Sequence, residues 1–264
     1  MTSHILIAHD LRDTADIALC RAVQLARQFG ARLSVLHVLK PNASQQEQEQ
    51  AQRALDKSLT LYAPKSELLI RSGKPSDVVL QQVIETGCDL LVLGSHNQRH
   101  DLFPGTSLDR IARNCRVPLL LVTRNDFRPY QRGLAAIDFS LCACSALGHG
   151  YRLLPETATL HAVHVFDPGK GTPKQVEAQL ATQQALIDQL LEDEKQYLPE
   201  KGPTLSHSIV QGGILRSLQD HLKEHSNDLL ILGSHGRSAL SQALLGSLAQ
   251  HFLHKAPCDV LVVR

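Results

Sequence analysis

The sequence predicts an α/β protein of two tandem domains, each an open parallel five-stranded sheet with helices on both faces. Short apolar runs alternate with amphipathic helical stretches, and that order of elements occurs twice. A glycine loop also follows an apolar strand at the same place in each half. At about 150 residues per domain, the 264 residues suffice for two domains with separate cores.

The elements follow the same order in both halves. A first strand ends at an aspartate, a helix follows, and the second strand closes with His-Val. In the first half, apolar residues recur at the helical period from Asp16 until Gly30 ends the helix. The predicted strands are 5–10, 33–38, 68–73, 89–94 and 118–123, and then 134–138, 158–165, 208–213, 228–233 and 259–264. The predicted helices are 16–27, 44–62, 78–85, 173–197 and 214–224.

A polar segment with proline and glycine separates the two repeats. It spans residues 125–133, so the predicted domains are 1–124 and 134–264. The closing strands, 119–122 and 260–263, are apolar edge candidates. Their pairing across the two halves would make an internal pseudo-dimer, and a homodimer of the chain is a compatible further step.

The second glycine loop is the most informative motif. A strand ending at Gly233 leads into G-x2-G-x9-G-S, with Gly236, Gly246 and Ser247. Glycines after a strand let the backbone approach a ligand, and a helix start offers free N–H groups to phosphate. The loop therefore predicts a polyphosphate cradle, and a positive φ at Gly236 would explain that glycine.

The first half carries a less complete copy of this loop. Asn97 replaces the second glycine, and seven residues instead of nine lead to Gly105 and Thr106. Asparagine tolerates left-handed backbone, but the shorter loop should move Gly105 away from the phosphate path. We therefore expect the second site to bind a nucleotide better than the first, which could be a decayed site retained for packing.

Composition excludes several classes of protein. The formal net charge of +1 and the lack of a basic run argue against binding to nucleic acid or to a membrane surface. The N-terminus lacks a signal-peptide pattern, and no apolar stretch approaches about 20 residues. The six cysteines are scattered without a C-x2-C pair. These features favour a soluble cytoplasmic protein.

Taken together, these motifs resemble the universal stress protein family in its tandem two-domain form. The resemblance covers nearly the whole chain and implies a fold similar to the adenine-nucleotide alpha-hydrolases. In that family the aspartate recognises adenine, the valine packs near the base or sugar, and the glycine loop holds phosphates. The resemblance thus implies ATP or AMP as the ligand, with or without Mg²⁺, and an unidentified protein partner.

Carried over residue by residue, the resemblance implies one full set of nucleotide-binding positions and one partial set. In the second half the set is Ala136, Asp138, Val165, Gly233, Gly236, Arg237, Ser238, Gly246, Ser247 and Leu248. In the first half it is Asp10, Val38, Gly94, Gly105 and Thr106.

Simpler interpretations exist for several of these residues. Asp10 and Asp138 could be turn residues whose carboxylates accept local N–H groups. Among the fourteen histidines, those in the two loops and at positions 149, 161, 164 and 207 lack metal-ligand spacing, so we expect no metal site. Cys142 and Cys144 could be a redox pair, but helical spacing separates the thiols.

The motifs favour a stress-response protein that binds nucleotide as a regulator or protector. They supply a cradle but no catalytic residue, so turnover is not expected, although slow ATP hydrolysis or autophosphorylation at Ser238 or Ser247 stays open. The first alternative is a scaffold in which both sites are vestigial. The second is an adenylate-forming enzyme, for which no pyrophosphate-releasing motif is found.

Overall fold

The computed structural model describes residues 2–95, 107–169, 172–236 and 245–264. It confirms the predicted α/β class with parallel strands. The chain divides into two compact units, Met1–Pro129 and Tyr130–Arg264. Each unit contains five strands, with helices in the connections between them.

The first unit runs strand, helix, strand throughout. Its elements are β1 His4–Ala8, α1 Asp13–Phe29, β2 Arg32–Leu39, α2 Gln45–Tyr62, β3 Glu67–Ser72, α3 Pro75–Thr86, β4 Leu90–Gly94, α4 Ser107–Asn114 and β5 Leu119–Val122.

The second unit repeats this order. Its elements are β6 Arg132–Ile137, α5 Leu141–Leu153, β7 Thr159–Phe166, α6 Pro173–Lys195, β8 Thr204–Gln211, α7 Ile214–Glu224, β9 Leu229–Gly233, α8 Ser247–His254 and β10 Asp259–Val263.

Within each unit the strands pair in parallel. The spatial order is β3-β2-β1-β4-β5 in the first unit and β8-β7-β6-β9-β10 in the second. The second and third strands of each unit therefore lie on one side of its first strand, and the fourth and fifth strands lie on the other side. Right-handed crossovers put the first two helices of a unit on one face of its sheet and the last two on the other. In the first unit α1 packs against α2, and α3 packs against α4.

Local sequence signals explain most of the element ends. Gly30 ends α1 in the left-handed conformation, with φ of 64°, as predicted. Capping boxes start α2 and α6, where Ser44 pairs with Glu47 and Thr172 with Gln175. Helix α7 has its predicted bounds. Strand β8 begins at Thr204, four residues earlier than predicted, because three of its first four residues are polar and gave no apolar strand signal.

The core of each unit consists of the inner strands and the helix faces on them. In β9, Leu229, Leu230 and Ile231 have no exposed surface, and all five residues of β10 are buried. Strands of a parallel sheet covered on both faces are apolar throughout, because both sets of side chains are buried. The closing strands β5 and β10 are each an edge of the strand order within their own unit, and their pairing stays a prediction.

Two buried polar side chains make hydrogen bonds to the segment 126–130, which contains the boundary between the two units. The guanidinium of Arg21, which is 1% exposed, donates to the carbonyl of Arg128 at 2.7 Å and to that of Asp126. The hydroxyl of Tyr130 donates to Asp259 Oδ2 at 2.6 Å. Strand β6 begins at Arg132, so the last two residues of the predicted boundary segment are already strand.

An aspartate before the fourth strand ties that strand to the first one in both units. Asp89 accepts the backbone N–H groups of Ser3 and His4 at 2.7 and 2.9 Å. Asp228 accepts those of Gln131 and Arg132 at 2.8 and 3.0 Å. Burial raises the pKa of Asp89, but the hydrogen bonds from Ser3 and His4 outweigh it and hold the pKa below its ordinary value.

Across the described ranges, no helix has both the length and the apolar character that a membrane span requires.

Replacing Asp228 with alanine should destabilise the second unit by about 1–3 kcal/mol, because two N–H groups at the start of β6 lose a charged acceptor. Urea unfolding followed by circular dichroism measures this change. The matched control is Asp220→Ala, which removes only an exposed ion pair with Arg216 at 3.7 Å and should stay within about 0.5 kcal/mol of wild type. Equal effects from both substitutions would contradict the role of Asp228.

Candidate functional site

The turn after β6 holds Asp138 in a fixed orientation. Its Oδ1 accepts the backbone N–H of Ser140 at 3.1 Å and the hydroxyl of Ser140 at 2.6 Å. Ser140 Oγ in turn accepts the N–H of Ala143 at 3.2 Å and so caps α5. The carboxylate is therefore part of an Asx turn, as the simpler interpretation anticipated, and that turn also fixes where its other oxygen lies.

The residue after the aspartate is strained in both units. Phe139 has φ of 62° and Leu11 has φ of 66°, a left-handed conformation that bulky residues rarely adopt. Such a residue costs on the order of 1–3 kcal/mol and persists where the surroundings impose it, often at functional sites. The sequence gives no local signal for this conformation, because a glycine would be expected there.

The histidine before Val165, and likewise the one before Val38, hydrogen-bonds to the backbone at the end of the first strand of its unit. Nδ1 of His164 lies 2.8 Å from the carbonyl oxygen of Ile137, and Nδ1 of His37 lies 2.7 Å from that of His9. A carbonyl only accepts, so Nδ1 carries the proton in both rings. The ring of Phe139 packs on that of His164 with centroids 4.6 Å apart. The histidine of each His-Val pair is thus a positioning residue that the sequence reasoning missed.

The glycine ending the fourth strand is required by close packing. A Cβ on Gly233 would lie 2.9 Å from the backbone carbon of Cys142, and one on Gly94 would lie 2.6 Å from the carbonyl oxygen of Thr14. Both contacts are with backbone atoms in the first turn of the first helix of the unit, α1 or α5. Backbone held in a helix cannot move aside as a flexible side chain can. The end of β9 is thereby held against the start of α5, next to Asp138.

Gly236 meets Asp138 across a sequence separation of 98 residues. A Cβ on Gly236 would lie 2.7 Å from Asp138 Oδ2, and the carbonyl of the neighbouring His235 accepts the hydroxyl of Ser140 at 3.4 Å. Gly236 does not adopt a positive φ, so the expected reason for this glycine is wrong. A side chain at this position would instead have to displace the Asp138 carboxylate that Ser140 holds.

Gly246 lies beside Ser234, the residue that follows β9. Its N–H donates to the carbonyl of Ser234 at 2.8 Å, and it precedes α8, which has no side-chain cap. The first N–H groups of an uncapped helix have no internal partner and favour an anion. Ser247 and Leu248 are the first two residues of that helix, and Ser247 is exposed.

The remaining predicted residues are only partly placed. Ala136 and Val165 are half-buried near the carboxyl ends of the neighbouring strands β6 and β7, and Val38 has the same position in β2. The predictions for Arg237, Ser238, Asn97, Gly105 and Thr106 fall outside the described residues.

The two aspartates differ in their electrostatic surroundings. Asp10 is exposed, accepts the N–H of Arg12 at 3.2 Å, and has the Arg12 guanidinium 3.6 Å from its Oδ2. Asp138 is half-buried, and Ser140 stands where Arg12 stands in the first unit. A ligand at Asp10 would compete with this ion pair.

Neither cysteines nor histidines supply an alternative chemistry here. Burial, together with Glu194 and Asp138, raises the pKa of Cys144 to about 11, so its thiol is protonated at neutral pH. Within the described residues, no group of three or more His, Cys, Asp or Glu side chains could hold a metal ion. The sequence reasoning did overlook His221 and His225, which are four residues apart at the end of α7.

The site therefore combines a carboxylate that can accept from an exocyclic amine or hydroxyl with a helix start that can receive phosphate. Both lie at the carboxyl edge of a parallel sheet, where ligands of such sheets bind. Within the loop, Ser234 Oγ lies 2.6 Å from Nδ1 of His235. The arrangement suits binding of a phosphorylated ligand.

Comparison with known proteins relates both halves of the chain to one family. The sequence profile of the Universal stress protein family matches residues 1–123 and again residues 129–264. A universal stress protein of Methanocaldococcus jannaschii is 26% identical over 154 residues, which cover 54% of this chain and 87% of the relative. The Universal stress protein E homolog of Haemophilus influenzae is 25% identical over 239 residues, 83% of this chain and 77% of the relative.

Solved structures show the same fold. A universal stress protein from Archaeoglobus fulgidus aligns over 100% of this chain and 99% of its own, with a TM-score of 0.74 and 16% identity. Together with the two profile matches, this agreement accounts for both halves of the sequence. The chain therefore belongs to the universal stress protein family, with one family domain in each half.

Proposed function

We propose that the second unit binds an adenine nucleotide, ATP or AMP, and that the chain acts as a nucleotide-dependent regulator or protector in the stress response. The observation that carries this proposal is the meeting of Asp138 with Gly236. It places a carboxylate suited to a base or sugar beside a loop that leads to an uncapped helix start.

The parts of this site have distinct roles in the proposal. Oδ1 of Asp138 accepts from Ser140, and Oδ2 faces Gly236, on the side where the ligand is proposed to lie. Val165 supplies apolar surface beside it. The N–H groups of Ser247 and Leu248 receive the phosphates, and Arg237 and Ser238 are proposed to complete the cradle. Mg²⁺ would arrive with ATP, coordinated mainly by the phosphates.

We propose that the first unit binds nucleotide more weakly. Arg12 is paired with Asp10, and the first glycine loop is two residues shorter. One strong site per chain is the expected stoichiometry. The scaffold alternative, with both sites vestigial, predicts no binding at all.

Replacing Gly236 with alanine should lower the affinity for ATP about tenfold or more, because the new Cβ displaces the Asp138 carboxylate that Ser140 holds. Isothermal titration with Mg²⁺ and protein stripped of nucleotide measures the affinity. Gly213→Ala is the matched control, since a Cβ there meets nothing within 4 Å and φ is −75°. Equal affinities for the two variants would contradict the role of Gly236.

Alanine at Asp138 should remove the strong site, whereas alanine at Asp10 should leave it intact. For wild type and Asp10→Ala, ATP at 100 times its dissociation constant should stabilise the fold by about 2.7 kcal/mol. Asp138→Ala should lose most of this stabilisation in a thermal shift assay. Retention of ATP stabilisation in Asp138→Ala and its loss in Asp10→Ala would reverse the assignment, and no stabilisation in wild type would favour the scaffold.

A further inference from the structure

Three histidines form a stacked cluster on one face of the second unit, away from the proposed nucleotide site. The ring of His161 on β7 stacks on that of His221 on α7, with centroids 5.1 Å apart and planes 14° from parallel. The ring of His221 contacts that of His225 at 4.2 Å. These rings form a direct contact between α7 and the sheet, since α7 packs on β7.

Neutral partners hold His161 at one end of the cluster. The two ring nitrogens of His161 lie 2.8 Å from the hydroxyls of Ser206 and Ser208 on β8. Nδ1 of His221 is buried, and in the part of the chain that the structure describes no hydrogen bond to that nitrogen meets the geometric criteria. An unpaired buried nitrogen and stacked rings are compatible with neutral imidazoles, whereas adjacent imidazolium ions would repel one another.

We propose that this cluster makes the second unit acid-sensitive: protonation of the rings on mild acidification releases α7 from β7. The inference goes beyond the proposed nucleotide binding and does not depend on it. It concerns a charge change at a helix-to-sheet contact, a common basis of pH-sensitive elements.

The neighbouring charges do not neutralise the cluster. His207 of β8 lies on the opposite face of the sheet, where its ring is paired with Asp188 of α6 at 2.6 Å, and it also disfavours protonation of His161. From α7 itself, Glu224 favours protonation of His221, but burial and His225 outweigh it and lower the pKa of that ring. Burial, followed by His221, His225 and His207, lowers the pKa of His161 from 6.5 to about 4.

The sign of the effect follows from these shifts. In the unfolded chain these histidines bind protons near their ordinary pKa of about 6.5. The folded unit resists protonation, so the cluster is fully compatible with folding above about pH 6.5, and stability is lost as the pH falls towards 4. In the first unit Ser34, Gln82 and Thr86 occupy the matching positions of the repeat, and His4 of β1 contacts Ser34 Oγ at 2.8 Å and the Thr86 carbonyl oxygen at 3.2 Å.

Hydrogen exchange of the full chain, followed by mass spectrometry at about pH 7.5 and about pH 5 and corrected for intrinsic rates, tests the proposal. We expect α7 to lose about tenfold in protection at the lower pH, while α2, which contains no histidine, changes little. His161→Gln and His221→Phe should each reduce the loss to about threefold or less, since Gln and Phe take up no proton there.

The matched control is His254→Gln, an exposed position on α8, which should behave as wild type. Unchanged protection of α7 in wild type at the lower pH would overturn the proposal, and this outcome needs no variant. An equal loss in wild type and in the folded cluster variants would also overturn it. His161→Gln and His221→Phe differ in shape and position. If one variant fails to fold, the other still tests the proposal.

Discussion

The arrangement of each unit depends on the close approach of the fourth strand to the first helix. At Gly94 and Gly233 the strand end lies so near the backbone of that helix that a Cβ has no space. This contact places the loop after the strand beside the turn after the first strand. Every other feature of the site in the second unit follows from it, including the meeting of Gly236 with Asp138 and the return of Gly246 to Ser234.

The two units keep this frame and differ in the groups placed on it. Both have a left-handed residue after the aspartate, a histidine bound to the preceding strand end, and an aspartate that joins the first and fourth strands. These shared features maintain the shape of the carboxyl edge. The differences lie in charge, because Arg12 accompanies the first aspartate and Ser140 the second. The two units therefore share a backbone arrangement at this edge and differ in the side chains next to the aspartate.

The histidine cluster is a second difference between the units, located on a different part of the fold. The nucleotide site proposed for the second unit involves the ends of β6 and β9, whereas the cluster joins the body of β7 to α7. A family domain can therefore acquire a response to acidity without altering the residues at its carboxyl edge. In the first unit Ser34, Gln82 and Thr86 replace the three histidines, and His4 of β1 lies against Ser34 and Thr86.

The sequence by itself determined the duplication, the parallel α/β class and most element bounds, because hydrophobic period and glycine stops are local signals. It also predicted that Asp138 and the glycine loop belong to one site, and Gly236 of that loop lies beside Asp138. It could not give the reason for Gly236, the left-handed Phe139 or the stacking of His161 on His221. Those depend on contacts between residues far apart in the chain, and only the tertiary structure decides which distant side chains compete for the same space.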